Sequence, residues 1–325
     1  MRSAAKPVVC IVTPGTRTAN NGNWRTAVRW AELLRDRYRI IVQSAWQGEH
    51  ADAMVALHAR RSADSIVRFR EARKRGGLAV VLSGTDLYRD MVAGSPESER
   101  SLDMADRIVV LQADAKRLLS PQRRAKSQVV FQSARPLAAR PKPRGRLDCV
   151  MVGHLREEKD PETLFRALGE IPASIPLHVR HIGAPNDAKL AQAARALAKR
   201  DARYVYSGGL AHGLTRAAIA RAHLLVHPSV VEGGANVVIE AVMSRTPVIG
   251  SRISGNVGLL GGGYPGYFEP RDAGGLASLL VRAWEDRGFL RVLSDACAKR
   301  RALFQPAAER RSLRVLVETV LASKG

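Results

Sequence analysis

The chain has 325 residues, 46% of them hydrophobic, which is enough for two α/β domains with a core each. Fifty-two Lys and Arg against 30 Asp and Glu give a formal charge of +22. The basic residues are spread along helix faces and aromatics are only 5%, which argues against a nucleic-acid groove and for attraction of small phosphorylated ligands. No apolar stretch approaches the roughly 18 residues of a membrane span, and three distant cysteines, Cys10, Cys149 and Cys297, suggest neither a disulfide framework nor a zinc site.

In chain order, Arg2 and Lys6 precede the apolar run Val8–Val12, which ends at Thr13-Pro14-Gly15. The run is shorter than the roughly 7–15 residues of a secretory core, so it reads as the first buried strand of a cytoplasmic protein. A polar loop and an amphipathic helix over Trp24–Arg35 follow, then strands at Arg39–Gln43 and Ala53–His58. A helix over Ser62–Arg75 leads to strands at Ala79–Ser83, Ile108–Gln112 and Gln128–Gln132. Strands alternating with helices imply βαβ units and a parallel sheet.

Pro136, Pro141 and Pro143, set among Arg140, Lys142, Arg144 and Arg146, break this pattern and read as a linker. A second series opens with a strand at Leu147–Val152, followed by the helix Pro161–Leu168, the strand Leu177–Ile182 and the helix Ala188–Lys199. A strand at Tyr204–Tyr206, a helix at Thr215–Arg221 and a strand at Leu224–His227 come next. The helix Asn236–Ser244 and strand Pro247–Gly250 complete it, and the C-terminal stretch Pro306–Leu321 has a helical period. The whole reads as two doubly wound domains facing across a cleft: 1–140, with 306–325 returning onto it, and 147–305. Ligands of such sheets sit beyond the carboxyl ends of the strands.

The segment from Leu224 to Ala241 carries the chemistry. A strand ends at His227, a loop contains Gly233 and Gly234, and a helix opens at Ala235 or Asn236. The N–H groups of Asn236, Val237 and Val238 at a helix start form an anion site suited to a pyrophosphate. Glu232 and Glu240 flank it, and carboxylates accept hydrogen bonds from sugar hydroxyls, so Glu232 suits a hexose and Glu240 a ribose. The structural alternative is a βα turn punctuated by glycine. Gly255-Asn256-Val257-Gly258 and Gly261-Gly262-Gly263 read as further flexible backbone nearby.

The Glu-x7-Glu segment and the following Pro247-Val248-Ile249-Gly250 resemble the donor site of the GT-B glycosyltransferases. The resemblance implies that Gly153, Arg156 and Lys159, in Val152-Gly153-His154-Leu155-Arg156-Glu157-Glu158-Lys159-Asp160, hold the donor together with Glu232, Gly233, Gly234, Ala235, Asn236, Val237 and Glu240. Within that fold, Asn21-Gly22-Asn23-Trp24-Arg25, Ala56-Leu57-His58-Ala59-Arg60-Arg61 and Gly84-Thr85-Asp86-Leu87-Tyr88-Arg89 are similar to the selenosugar synthases of selenoneine biosynthesis. That narrower resemblance implies that a UDP-sugar and selenophosphate react to give a 1-selenosugar, UDP and phosphate. It makes His58, Asp86 and His154 the catalytic candidates. It makes Asn21, Gly22, Asn23, Arg25, Arg60, Arg61, Thr85 and Arg89 acceptor-side candidates.

An anionic selenium needs positioning and charge compensation more than a base, and arginine matches phosphate oxygens. Arg17, Arg25, Arg60, Arg61 and Arg89 therefore suit the acceptor. Plainer readings stand beside these: His58 as a satisfied histidine at a strand end, Asp86 as a turn cap, and Arg89-Asp90 as a surface pair. Trp24 and Trp30 read as packing. No Asp-x-Asp clamp ends a strand, so neither metal nor cofactor is expected. A glycosyltransferase with a hydroxyl acceptor, and a basic nucleic-acid-binding protein, are the other readings.

Overall fold

A computed structural model describes residues 5–15, 22–138 and 140–323. The chain divides into two compact units, Met1–Gln132 with Pro306–Gly325, and Ser133–Gln305.

Unit 1 runs β1 (Val8–Val12), α1 (Gly22–Leu34), β2 (Arg39–Gln43), β3 (Ala53–Leu57), α2 (Ala63–Ala72) and β4 (Gly77–Leu82). A single π-helical turn at Asp86–Asp90 precedes α3 (Pro96–Met104), β5 (Arg107–Val110), α4 (Pro121–Ala125) and β6 (Ser127–Val129). All six strands are parallel, in the order β2-β1-β3-β4-β5-β6. Every residue of β3 and β4 is buried, as expected of strands with both faces covered. On one face Val9 and Ile11 pack with Trp30 and Leu34 of α1. On the other, Cys10 and Val12 lie in a cluster with Ile66, Phe69 and Leu102 of α2 and α3.

The C-terminal helix, Pro306–Ala322, belongs to the first of these faces: Leu313, Leu316, Val317 and Val320 are buried there. A Cβ at Gly77 would lie 2.2 Å from the carbonyl oxygen of Val320, so only glycine lets the helix settle against β4. Glu309 on this helix is buried, accepts from Trp30 Nε1 at 2.7 Å and pairs with Arg29 Nε at 3.1 Å.

Unit 2 opens without regular structure. Arg216 fastens this proline-rich stretch by donating to the carbonyl of Arg135 at 2.7 Å, and Lys142 bonds the carbonyl of Ala222. The strands and helices are β7 (Leu147–Val152), α5 (Pro161–Glu170), β8 (Leu177–Ile182), α6 (Ala188–Arg200), β9 (Tyr204–Tyr206), α7 (His212–Arg221) and β10 (Leu224–His227). They continue as α8 (Asn236–Met243), β11 (Val248–Ser251), α9 (Ser254–Leu260), β12 (Tyr267–Phe268), α10 (Ala273–Glu285) and α11 (Arg287–Ala298). The sheet is again six-stranded and parallel, ordered β12-β11-β10-β7-β8-β9.

One sequence expectation is overturned here. Gly255-Asn256-Val257-Gly258 is not flexible backbone but the body of helix α9, with Gly255, Asn256 and Gly258 buried. A Cβ at Gly255 would meet the Glu232 carbonyl oxygen at 2.3 Å, so this glycine serves close packing rather than mobility. No helix among the described residues is long and apolar enough to cross a membrane.

Candidate functional site

In each sheet the strand order reverses once, between β1 and β3 in unit 1 and between β7 and β10 in unit 2. Crevices that bind ligands open at such reversals, beyond the carboxyl ends of the strands. In unit 2 the two loops that leave this point carry Gly153–Lys159 and Pro228–Ala235.

These loops are locked to each other. Val230 N–H donates to the Glu158 carbonyl at 3.0 Å, and Ser251 Oγ braces the Ser229 carbonyl. Lys159 Nζ pairs with Glu232 Oε1, and His227 Nε2 lies 3.4 Å from the same oxygen. Burial works to raise the Glu232 pKa, but Lys159 and then His227 outweigh it, and the carboxyl stays below its usual range. Burial pushes the His227 pKa down to about 4, so this imidazole is neutral near pH 7, and its buried Nε2 has no aligned hydrogen-bond partner.

Gly233 and Ala235 are buried, while Gly234, Asn236 and Val237 are half-buried. Ala235, the N-cap residue of α8, makes no side-chain cap bond. Of the three N–H groups expected there, that of Val238 is engaged by the Ala235 carbonyl at 3.0 Å. Glu240 faces His212 on α7, whose Nε2 is 2.6 Å from Oε1. Gly153 abuts the Lys159 side chain, and its carbonyl accepts from Nε2 of buried His181 at 3.0 Å. His154 is exposed, with Nδ1 accepting the Ala184 N–H at 2.9 Å, so any proton it offers outward is on Nε2. Arg156 is also exposed, 3.8 Å from Glu158.

In unit 1 His58 leaves β3 at the reversal point. It is 1% exposed and has φ +73°, a conformation that costs a non-glycine residue energy and recurs at functional sites. Its backbone is pinned by the Val81 carbonyl at 2.9 Å. Nδ1 lies 2.7 Å from Asp86 Oδ1 and Nε2 lies 3.0 Å from Thr85 Oγ1. The Arg61 N–H also points at Nδ1, but at 3.4 Å; the nearer carboxylate decides, so Nδ1 carries the proton and Nε2 accepts from Thr85. Asp86 is itself fixed, with Oδ2 accepting from Ser83 N at 2.7 Å.

Asp90, four residues on, is not the surface partner the sequence suggests: it is 5% exposed. Arg60 Nε lies 3.0 Å from its Oδ2 and Arg89 Nε 3.2 Å from its Oδ1. Burial would raise the Asp90 pKa, yet the two guanidinium groups hold it low. Both arginine side chains remain well exposed, at 40% and 57%. Arg61 is exposed, Gly22 and Asn23 start α1 with Arg25 half-buried behind them, and Asn21 and Arg17 lie outside the described residues.

His58, Asp86 and Asp90 are also the one group among the described residues with metal-ligand spacing, their ligand atoms all lying within 4.8 Å. Two arginines already balance Asp90, and His58 is engaged on both nitrogens. The charge count is thus met by the protein's own groups.

Residues 146–286 match one family model, described as glycosyl transferases group 1. The match covers the strands and loops of the Lys159–Glu232 site. No curated protein matches the chain significantly. Among solved structures, HepE of Anabaena, crystallised with UDP and glucose, is 14% identical with a TM-score of 0.74, covering 97% of this chain and 100% of that one. A sucrose-phosphate synthase from Thermosynechococcus elongatus is 17% identical with a TM-score of 0.76, covering 98% and 99%. The lipopolysaccharide outer core galactosyltransferase WaaB gives 14% and 0.71, covering 96% and 99%. These likenesses carry the fold: two Rossmann-like units of the GT-B class.

Sequence reasoning passed over three residues. Asp90 was visible only as one member of a charged pair. His227 ends a strand in an ordinary apolar run, and His212 lies 28 residues from Glu240, so nothing local joins them.

Proposed function

We propose that the protein is a glycosyltransferase that takes its sugar from a UDP-sugar and, more narrowly, a selenosugar synthase. In that reading UDP-N-acetylglucosamine or UDP-glucose reacts with selenophosphate to give a 1-selenosugar, UDP and phosphate. The observation that carries the transferase reading is the unit 2 crevice, where Lys159 and Glu232 pair in the loops that lead into α8. A diphosphate would take the helix start, with Lys159 and Arg156 spreading the charge of the leaving UDP. Glu232 and Glu240 would take sugar and ribose hydroxyls, and His154 Nε2–H would donate to the donor. The family match over 146–286 and the UDP complexes of HepE support this assignment.

The acceptor reading rests on unit 1. Asp90 holds Arg60 and Arg89 by one oxygen each, leaving two fixed, exposed guanidinium groups next to His58, as suits a small phosphorylated anion. Gly22, Asn23, Arg25 and Arg61 are assigned to the same side, and the transfer is read as metal-independent. The His58–Asp86 contact favours a second reading, a sugar or other hydroxyl acceptor deprotonated by His58 by way of the Thr85 hydroxyl. Release of UDP from UDP-N-acetylglucosamine, measured with and without selenophosphate, separates them. Stimulation by selenophosphate is expected; its absence removes the selenosugar reading.

A further inference from the structure

The selenosugar reading leaves the His58–Asp86 pair without a task in the first bond change. The selenium of selenophosphate attacks the anomeric carbon as an anion, the C–O bond to UDP breaks, and no proton has to be removed. The product of that step is a selenosugar still joined to phosphorus through selenium. Its Se–P bond must then be cleaved, and the nucleophile for that step, water, does have a proton to lose.

The geometry of unit 1 is built for such a transfer. Asp86 lies 2.7 Å from His58 Nδ1, and Thr85 Oγ1 lies 3.0 Å from Nε2. His58 is 1% exposed, so a substrate cannot reach Nε2 directly. Thr85 is only half-buried and covers that nitrogen, with Ser83 Oγ 3.2 Å from its hydroxyl. Thr85 Oγ1 is thus the nearest group through which a proton can enter the imidazole, with Asp90 Oδ2 farther off at 3.9 Å. Asp86 Oδ1, buried 2.7 Å from Nδ1, lies where a carboxylate can stabilise the charge that arrives on His58. Arg60 and Arg89, fixed on Asp90 beside this chain of groups, are placed to take phosphoryl oxygens.

We propose that Thr85, His58 and Asp86 form a proton relay that activates the water cleaving the Se–P bond; the proposal rests on the selenosugar reading above. The water oxygen bonds to phosphorus as the P–Se bond breaks, and the bonding pair leaves on selenium. The water proton passes to Thr85 Oγ1 while the Thr85 hydroxyl proton moves to His58 Nε2. Asp86 stabilises the imidazolium until the proton returns to the selenolate or to solvent. The products are the selenosugar and inorganic phosphate, with no oxidant or reductant consumed. Thr85 is thus a proton-transfer residue and Asp86 a positioning residue.

The test is a single turnover of the full chain with UDP-N-acetylglucosamine and selenophosphate, following UDP and phosphate separately and watching phosphorus by NMR. In Thr85→Val the ratio of phosphate to UDP released should fall about 100-fold, the lower end of a general-base contribution. A phosphorus resonance coupled to selenium should accumulate on the sugar. Thr85→Ser should restore the ratio, and the pH dependence of phosphate release should flatten only in the valine variant. A drop in both products at an unchanged ratio would place the group in the sugar transfer and overturn the relay. So would a normal ratio in a valine variant of wild-type stability, or a phosphothreonine at position 85. If the wild type releases no UDP in response to selenophosphate, the selenosugar reading fails first, and that result is visible before any variant is made.

Discussion

Replacing Lys159 by methionine tests whether the unit 2 crevice is an electrostatic device or a packing accident. Glu232 has a side chain 10% exposed, and its pKa stays low because Lys159 outweighs burial. The other nearby base, His227, is neutral near pH 7 and cannot take over. Breaking a buried pair by removing one partner costs about 3–5 kcal/mol. Lys159 is 25% exposed, so solvent screening trims this to about 2–3 kcal/mol for K159M at pH 7. The sign of the pH dependence follows. Without Lys159 the folded pKa of Glu232 rises, so the penalty is full above that raised value and vanishes as pH falls to the unfolded value. In the wild type the lowered pKa gives stability above the unfolded value that is lost in acid. The cost of K159M should therefore shrink between pH 7 and pH 5, and adding E232Q should recover most of it. Scanning calorimetry reads the stability, and UDP titration should show affinity down about 10–100-fold, the worth of a charged hydrogen bond. If K159M is as stable as wild type and indifferent to E232Q, the ion pair contributes nothing and the reasoning is wrong.

Three further outcomes are expected. His181 and His227 are buried with pKa values near 4 against an ordinary 6.5. The unfolded chain thus binds the extra protons, and unfolding in urea should show about 2 kcal/mol lost per histidine from pH 7 to pH 5; a flat profile would contradict their burial as neutral groups. Glu309→Ala strands Trp30 Nε1 and frees Arg29, and should cost unit 1 about 3 kcal/mol, with Glu309→Gln milder because it keeps an acceptor for the indole. Turnover should survive a chelator, because Lys159, Arg156 and the start of α8 can compensate the departing diphosphate; strict loss of activity restored by one divalent ion would direct attention to His58, Asp86 and Asp90.

How much was legible follows from where each signal is stored. The strands Val8–Val12, Arg39–Gln43, Leu147–Val152, Leu177–Ile182 and Leu224–His227 have the bounds the sequence suggests. In Val8–Val12, Leu147–Val152 and Leu224–His227 nearly every residue is buried, and burial of both faces writes itself as a largely apolar segment. The Glu232–Glu240 loop was readable for a similar reason: glycines, a strand end and a helix start sit together in sequence. Helix α9 was hidden because its glycines argue locally against a helix, while the contact of Gly255 with the Glu232 backbone is visible only in three dimensions. The helical turn at Asp86–Asp90 went unread because a π-helical turn has no period to detect.

The polar partners divide in the same way. Glu232 was readable, but its dependence on Lys159, 73 residues away, was not, and neither was the pairing of Glu240 with His212. In unit 1 the segments around His58 and Thr85-Asp86 each carried a recognisable pattern, while the link between them is made by β3 and β4 lying side by side in register, with Leu57 opposite Val81. That pairing puts the residue after β3 next to the loop after β4. Asp90 then gains its meaning from the turn that folds it back under Arg60 and Arg89. A local motif can thus suggest a ligand class for a loop. Which proton or which charge a residue handles is set by neighbours that only the sheet brings together, and it is there that the acceptor chemistry of this protein has to be tested.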